Sequence, residues 1–325
     1  SIEGVTVTLD KTSYTYTGTK IVPEVVVKDG SSVLEKGVDY SLQVKDNVNV
    51  GTATVTVKAL AGSDYKEGST TSATFTITPA KAEDVKVVLS ENGNGTSKKA
   101  EAVSGKENTF KYNKGKQVQP LVSESGSITL NGEDVTDQFD VKRLTYGDNN
   151  QACKEMGSVT ISPKTGNKNF TGTKTQKFDI KGTELNGTLK VYGSNKRVIE
   201  TANNTGKLVN WGAYHFYYNG AECKFADASF IPSIAAAKEG TDYEIKYINN
   251  VNAGYGLVAV VAKGNYEGGL TYTLTDANAN NKVVATVTDG KLAGTSQGNI
   301  ISIIGFQIKA SVFTAKNITV TNGVY

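Results

Sequence analysis

Apolar and polar residues alternate one by one along several short stretches of this chain. At 52–57, threonines alternate with Ala53, Val55 and Val57, and the stretch 158–161 has the same period of two. This period places one set of side chains on the inner face of a β-strand and the other set in water. The pattern therefore predicts many half-buried strands, and the 34 glycines among 325 residues suit the tight turns between them.

A series of motifs occurs twice in the chain, in the same order. The first copy runs through Tyr14–Gly18, Val38–Tyr40, Asp46–Gly51, Ser63–Tyr65 and a closing strand at Thr74–Ile77. The second copy runs through Phe216–Gly220, Thr241–Tyr243, Asn249–Gly254, Gly264–Tyr266 and a closing strand at Thr271–Leu274. Gly18 and Gly220 are 202 positions apart and Tyr65 and Tyr266 are 201 apart, so the two copies stay in register. Unrelated segments would not keep this spacing, and we infer a repeated domain.

A more diverged copy lies between these two. Its landmarks are Phe110–Tyr112, Gly157 in the position of Gly51, Asn169–Phe170 and a closing strand at Lys177–Ile180. The ends of the closing strands predict three domains, at 1–79, 80–181 and 182–276. The remainder, 277–325, is either a partial fourth β unit or an assembly tail. Its strand edges favour pairing with a neighbouring subunit.

The motifs at Tyr14–Gly18, Pro23–Lys28, Lys36–Tyr40 and Asn49–Val57 resemble the tandem immunoglobulin-like repeats of large surface proteins in gut bacteria. The resemblance implies an all-β fold of tandem immunoglobulin-like β-sandwich domains. It also implies a secreted protein at the bacterial cell surface. In that family such repeats are generally non-enzymatic stalks, spacers or adhesive modules. Similar modules occur on phage virions, so a decoration or fibre protein on a virion surface is the alternative.

Charge and hydropathy argue against two classes of function. The chain has 35 basic and 32 acidic residues, a formal net charge of +3, and no block of Lys and Arg interleaved with aromatic residues. We therefore expect no nucleic-acid partner. No apolar run is long enough to span a membrane. Cys153 and Cys223, the two cysteines, fall in different copies, so we expect buried thiols and no disulfide within a domain.

Enzymatic chemistry finds little support in the sequence. His215 is the one histidine, so neither a zinc-ligand spacing nor a Ser-His-Asp arrangement is indicated. Asp39, Asp137 and Asp242 recur at one position of each copy, which favours a role in a turn over catalysis. We predict no catalytic residue, no cofactor and no metal ion. Calcium at Asp46–Asn49 is the alternative, because oxygen donors stand there at alternate positions.

The residues that do not recur are aromatic and lie close together in the chain. Trp211, the only tryptophan, is followed by Tyr214 and Tyr217. Exposed aromatic rings stack on the apolar faces of sugar rings, so these three residues are the predicted ligand-binding site. A host or cell-surface glycan or protein is the predicted partner, and a carbohydrate-binding module is the alternative function. The competing interpretation is that Trp211 and Tyr217 pack against a neighbouring domain.

Two further aromatic residues in this region are predicted to lie in the core. Phe216 and Tyr218 align with Tyr14 and Tyr16 of the first copy. The period of a strand also puts them on the opposite side from Tyr217. We therefore expect both rings to be buried.

Overall fold

A computed structural model describes residues 1–210, 212 and 214–311 of the chain. These residues form β-strands and five short 3-10 helices, which confirms the all-β prediction. Trp211 and the stretch 312–325, which belong to two of the predicted sites, lie outside the described residues.

The chain divides into two compact units. The first consists of residues 1–150 and 154–180, and the second of residues 151–153 and the chain from 181 onward. Strands are given below for three stretches of sequence, the first segment (1–79), the second segment (80–181) and the third segment (182–311).

The first segment forms two sheets that share one core. A 3-10 helix at Ile2–Gly4 precedes the strands β1 (Thr6–Leu9), β2 (Ser13–Thr15), β3 (Val25–Asp29), β4 (Ser32–Val33), β5 (Tyr40–Lys45), β6 (Gly51–Ala59) and β7 (Thr70–Thr78). One sheet has the strand order β1-β3-β4 and the other β2-β7-β6-β5. Val27 of the first sheet and Tyr40 and Val57 of the second belong to one buried cluster. Along β6, Ala53, Val55 and Val57 are buried between more exposed threonines, which confirms the predicted alternation.

An early strand and the last strand of the first segment run in the same direction. β2 pairs with β7 in parallel, with Tyr14 opposite Ile77. β6 pairs with β7 in the antiparallel sense. The pairing between β2 and β7 continues past β2, because the Tyr16 N–H donates to the Thr78 carbonyl over 2.8 Å.

The second segment is built of shorter strands. They are β8 (Ala80–Lys81), β9 (Lys86–Val87), β10 (Thr109–Lys111), β11 (Ile128–Leu130), β12 (Glu133–Asp134), β13 (Thr145–Tyr146), β14 (Cys153–Ile161), β15 (Phe170–Thr171) and β16 (Lys174–Lys181), with 3-10 helices at Ala82–Asp84, Gly95–Ser97 and Thr136–Gln138. The sheets have the orders β10-β16-β14-β13, β12-β11-β9 and β15-β8.

The predicted correspondence of Gly157 with Gly51 is wrong by two positions. Pro163 forms a β-bridge with Phe139, as Ala59 pairs with Tyr40 in the first segment. Six residues before Pro163, Gly157 therefore has the position of Ala53. A Cβ at Gly157 would lie 2.6 Å from the ring of Phe178. Close packing therefore requires glycine here, whereas Gly51 has a φ of +144° that other residues rarely adopt.

The third segment has the largest sheet of the described chain. Its strands are β17 (Thr183–Glu184), β18 (Gly187–Tyr192), β19 (Val198–Asn203), β20 (Gly206–Leu208), β21 (Phe216–Tyr217), β22 (Asp227–Pro232), β23 (Tyr243–Ile248), β24 (Gly254–Ala262), β25 (Tyr266–Glu267), β26 (Tyr272–Asp276), β27 (Lys282–Thr288), β28 (Lys291–Leu292) and β29 (Ile300–Lys309), with a 3-10 helix at Ala277–Ala279. The large sheet has the order β20-β29-β24-β23, and β21 also pairs with β29. The other sheets are β19-β18-β22, β26-β27-β28 and β17-β25.

The closing strand of the third segment is β29, not the predicted stretch Thr271–Leu274. β29 pairs antiparallel with β24, with Ile308 opposite Gly254, in the way that β7 pairs with β6. It also pairs in parallel with β20 and β21. The domain end expected at 276 therefore falls before the last strand of this sheet, and 277–309 completes the third segment instead of starting another unit.

In the sheet closed by β29, the strands β24 and β29 are buried on both faces. Val258 on one face belongs to a core that includes residues of β18, β19 and β22. Leu257 and Val261 on the other face pack against residues of β26, β27 and β28. In β6 the same two positions are Thr54 and Lys58, and that face is open to water. The nearly continuous apolar run of β24 is thus the sequence pattern of a strand buried on two sides.

We expect Leu257→Thr to lower the free energy of unfolding by about 2–4 kcal/mol, because it leaves a cavity and buries a hydroxyl. The matched exchange Thr54→Leu, at the corresponding position of the open face, should change it by no more than about 0.5 kcal/mol. Urea unfolding of both variants measures the difference. Equal effects would contradict the two-sided burial of β24.

Candidate functional site

The structure places Tyr214 and Tyr217, the two described residues of the predicted ligand-binding site, in different surroundings. Trp211 lies outside the described residues. The partly buried ring of Tyr214 stacks on Phe225, with 5.5 Å between centroids and 29° between planes, and packs on the core of the second unit. Tyr217, on β21, is 60% exposed. Tyr214 therefore supports the core and does not form an exposed patch with Tyr217.

Tyr217 contacts an aromatic ring two positions earlier in the chain. The ring of His215 meets that of Tyr217 edge to face, with 5.0 Å between centroids. Phe216, between them, packs on Phe306 in the core, as the alignment predicted. Of Tyr214 and Tyr217, the two described residues of the predicted site, Tyr217 is the exposed one, and His215 lies beside it.

Tyr218 is exposed, although its alignment with Tyr16 predicts a core position. The alignment itself agrees with the structure, because Tyr218 donates its N–H to Lys309 over 2.8 Å just as Tyr16 donates to Thr78. Tyr16 is only 5% exposed, and its ring packs against Phe170 of the second segment. Tyr218 is 40% exposed. The prediction was wrong because a neighbouring segment, not the local core, buries this position.

The side chain of Asn169 joins the first and second segments within the first unit. Its Oδ1 accepts the N–H of Val50 over 2.9 Å. Its Nδ2 donates to Oδ1 of Asn49 over 2.9 Å and to Oε1 of Gln138 over 3.1 Å. Asn169 is 7% exposed, so each of these bonds satisfies a polar group that has little access to water.

Phe170 adds an aromatic contact to the same junction. Its ring meets Tyr16 edge to face at 5.3 Å and lies 4.9 Å from the ring of Phe139. The backbone is hydrogen-bonded here as well. Ala80, the first residue after the first segment, pairs with Phe170 in parallel, and the Ala80 N–H donates to the Asn169 carbonyl over 3.0 Å. Polar and apolar contacts together fix the junction.

The second unit contains the same arrangement around Asn265. Oδ1 of Asn265 accepts the N–H of Ala152 over 2.8 Å, as Asn169 accepts that of Val50. The Thr183 N–H donates to the Asn265 carbonyl over 2.9 Å, and β17 pairs with β25 in parallel as β8 pairs with β15. Sequence reasoning treated these asparagines only as landmarks of the fold.

A second set of asparagines closes the turn before each long strand. Each is buried and bonds twice to one residue, donating from its side chain to the carbonyl and accepting the N–H at its own carbonyl. The pairs are Asn47 with Ile21, Asn149 with Val118 and Asn250 with Cys223. Cys223 is 4% exposed, and burial raises the pKa of its thiol. It therefore occupies the position of an aliphatic residue, as expected.

Two of the recurring acids hold turns. Oδ2 of Asp39 accepts the N–H of Glu35 over 2.8 Å, and Oδ2 of Asp242 accepts that of Lys238 over 2.9 Å. Each carboxylate thus satisfies the backbone four residues earlier.

The second segment uses a different acid from the predicted Asp137. Asp134 accepts the Gly126 N–H and both the N–H and the hydroxyl of Thr136. The Thr136 hydroxyl, with the two backbone amides, lowers the pKa of Asp134. Asp137 accepts from its neighbour Gln138 over 3.2 Å.

Asp276, with Asn278 and Asn280 near it, lies in a second stretch rich in oxygen donors. Its carboxylate is 2% exposed and accepts the Tyr255 hydroxyl over 2.6 Å and the Asn278 N–H over 2.9 Å. Burial and this hydrogen bond raise the pKa of Tyr255 to about 12. Across the described ranges, His, Cys, Asp and Glu form no group of three or more that could hold a metal ion.

Among the described residues, no helix has the length and apolar character to cross a membrane. Compared with known proteins, the chain matches no family model, and no curated protein or solved structure is significantly similar to it. Its function is therefore inferred from its own residues and contacts.

We expect Asn169→Ala to destabilise the first unit by about 1–3 kcal/mol, because it leaves the Val50 amide without its partner. It should also split one cooperative unfolding transition into two, since the segments lose the hydrogen bonds of their shared contact and keep only the ring contact of Phe170. Calorimetry measures both effects.

The control for this variant is Lys168→Ala, at the exposed neighbouring position, which should stay within about 0.5 kcal/mol of the parent. A single unchanged transition for Asn169→Ala would contradict a coupling role for this side chain.

Proposed function

We propose that the chain is a non-enzymatic, extracellular stalk of immunoglobulin-like β-sandwich repeats from a bacterial surface protein. In this proposal it carries mechanical load and contacts a host or cell-surface protein or glycan. The recurring asparagine pairs and the equivalent pairing of β7 and β29 support a repeated fold. The observation that carries the mechanical role is the parallel pairing of early and closing strands.

Parallel pairing resists a pull on the two ends of the chain. β2 and β7 lie side by side in the same direction, so tension draws the start of one and the end of the other in opposite directions. All their hydrogen bonds are then loaded together in shear. β21 and β29 have the same geometry. Strands paired antiparallel at a hairpin would instead separate one bond at a time.

The junction at Asn169 supports the same role. A stalk transmits force only if neighbouring segments resist separation. Asn169 contributes hydrogen bonds to Val50 and Asn49, and Phe170 contributes the ring contact with Tyr16. Such a junction keeps one segment from moving independently of the next.

Stretching the full chain between its ends by single-molecule force spectroscopy tests the proposal. We expect discrete unfolding events at distinct forces. Thr76→Pro removes the amide that donates to the Thr12 carbonyl over 2.9 Å, and should lower the force of one event only.

The control is Thr76→Ala, which keeps that amide and should keep the force of the event. Smooth extension of the unaltered chain at low force, without discrete events, would reject a load-bearing function.

Glycan binding is the second candidate, and the exposed ring of Tyr217 favours it. A ring that is 60% exposed on a strand, with His215 at its edge, offers a flat apolar face beside a hydrogen-bonding group. Sugars present the same combination of an apolar face and hydroxyl groups.

A glycan array probed with the labelled full chain tests this candidate. Tyr217→Ala should weaken binding roughly fivefold, about 1 kcal/mol for one lost stacking contact. Tyr217→Phe keeps the ring and should retain binding. Equal binding by the parent and Tyr217→Ala would remove Tyr217 from any glycan site.

A further inference from the structure

One end of the third segment exposes residues that correspond to those of the junction in the first unit. We call Tyr218, Gly220, Asn252 and Ala253 the end surface. All four are exposed. Tyr218 and Gly220 correspond to Tyr16 and Gly18. Asn252 and Ala253 correspond to Asn49 and Val50, because they follow Asn250 at the same distances as Asn49 and Val50 follow Asn47.

The corresponding residues of the first segment are covered by the second segment. Tyr16 packs on Phe170, and the backbone of Val50 donates to Asn169. A Cβ at Gly18 would lie 3.3 Å from Val135. The first unit therefore shows which chemistry binds this type of surface: the side-chain oxygen of an asparagine, followed in sequence by an aromatic ring.

The first segment presents that chemistry at its opposite end. Ser63-Asp64-Tyr65 corresponds in sequence to the Asn-aromatic turns at Asn169 and Asn265. Asp64 is exposed. Tyr65 is held in place by its hydroxyl, which donates to Asp29 over 2.8 Å. That hydrogen bond raises the pKa of Tyr65 to about 12.

We propose that the end surface of one molecule binds the Asp64–Tyr65 turn of a second copy of the chain, head to tail. The inference rests on the repeated fold of the proposed function. A carboxylate oxygen of Asp64 accepts the Ala253 N–H, as the amide oxygen of Asn169 accepts that of Val50. The Asn252 amide donates to the other carboxylate oxygen, and the Tyr65 ring packs on Tyr218.

This mode of association joins two different surfaces, head to tail. The two surfaces are different and lie on different segments, so each added copy leaves one of each kind unused. Copies therefore add in sequence, and no linker raises their local concentration as a covalent connection would. We expect weak association that grows steadily with protein concentration.

Sedimentation velocity of the full chain over a rising concentration series tests the proposal. The parent should show a continuous increase in mean mass. Asn252→Asp puts a carboxylate against that of Asp64 and should weaken association about tenfold. The double variant Asn252→Asp with Asp64→Asn should restore it, because the new amide donates to the new carboxylate.

The matched control is Asn94→Asp, which makes the same change of charge at an exposed position elsewhere and should leave association unchanged. A parent that stays monomeric, or association that Asn252→Asp does not weaken, would overturn the head-to-tail contact. Either result leaves the force-extension behaviour of the single chain untouched, so a failure here is distinct from a failure of the stalk proposal.

Discussion

Buried backbone groups at the ends of strands must find partners, and this constraint governs much of the structure. A strand that ends inside a fold leaves N–H and carbonyl groups that the sheet no longer pairs. Asn47, Asn149 and Asn250 meet this need before the three long strands, each through two bonds to one residue. Asparagine suits the role because its side-chain amide can donate to the same residue whose N–H its backbone carbonyl accepts.

The same constraint explains which parts of the fold could be predicted from the sequence. Alternation in β6 and the turn at Asp46–Gly51 are local features, so they identified this strand and the connection before it correctly. The closing strand of the third segment was misassigned because Thr271–Leu274 imitates the alternation of Thr74–Ile77. The run of apolar residues in β24 carried the missing information, since a strand with two buried faces needs a second layer to cover it.

The candidate site shows a different limit of sequence reasoning. Tyr218 and Tyr16 have equivalent backbone bonds, yet one ring is exposed and the other is buried. The burial of Tyr16 depends on Phe170, which lies far away in the sequence and belongs to another segment. For the same reason the alignment revealed Asn169 as a recurring residue but not as the contact between segments. Position within a repeat predicts local hydrogen bonds, while burial at its ends depends on its neighbours.

Most side chains that drew attention for their chemistry serve the fold. Cys223 packs as an aliphatic residue would, Asp39 holds a turn, and Asp276 bonds to Tyr255. Tyr217 and Asn252 of the third segment, in contrast, face water. A recurring residue is available for binding only where no neighbouring segment covers it. Specific binding by the third segment therefore depends on which of its recurring residues are left uncovered at its end.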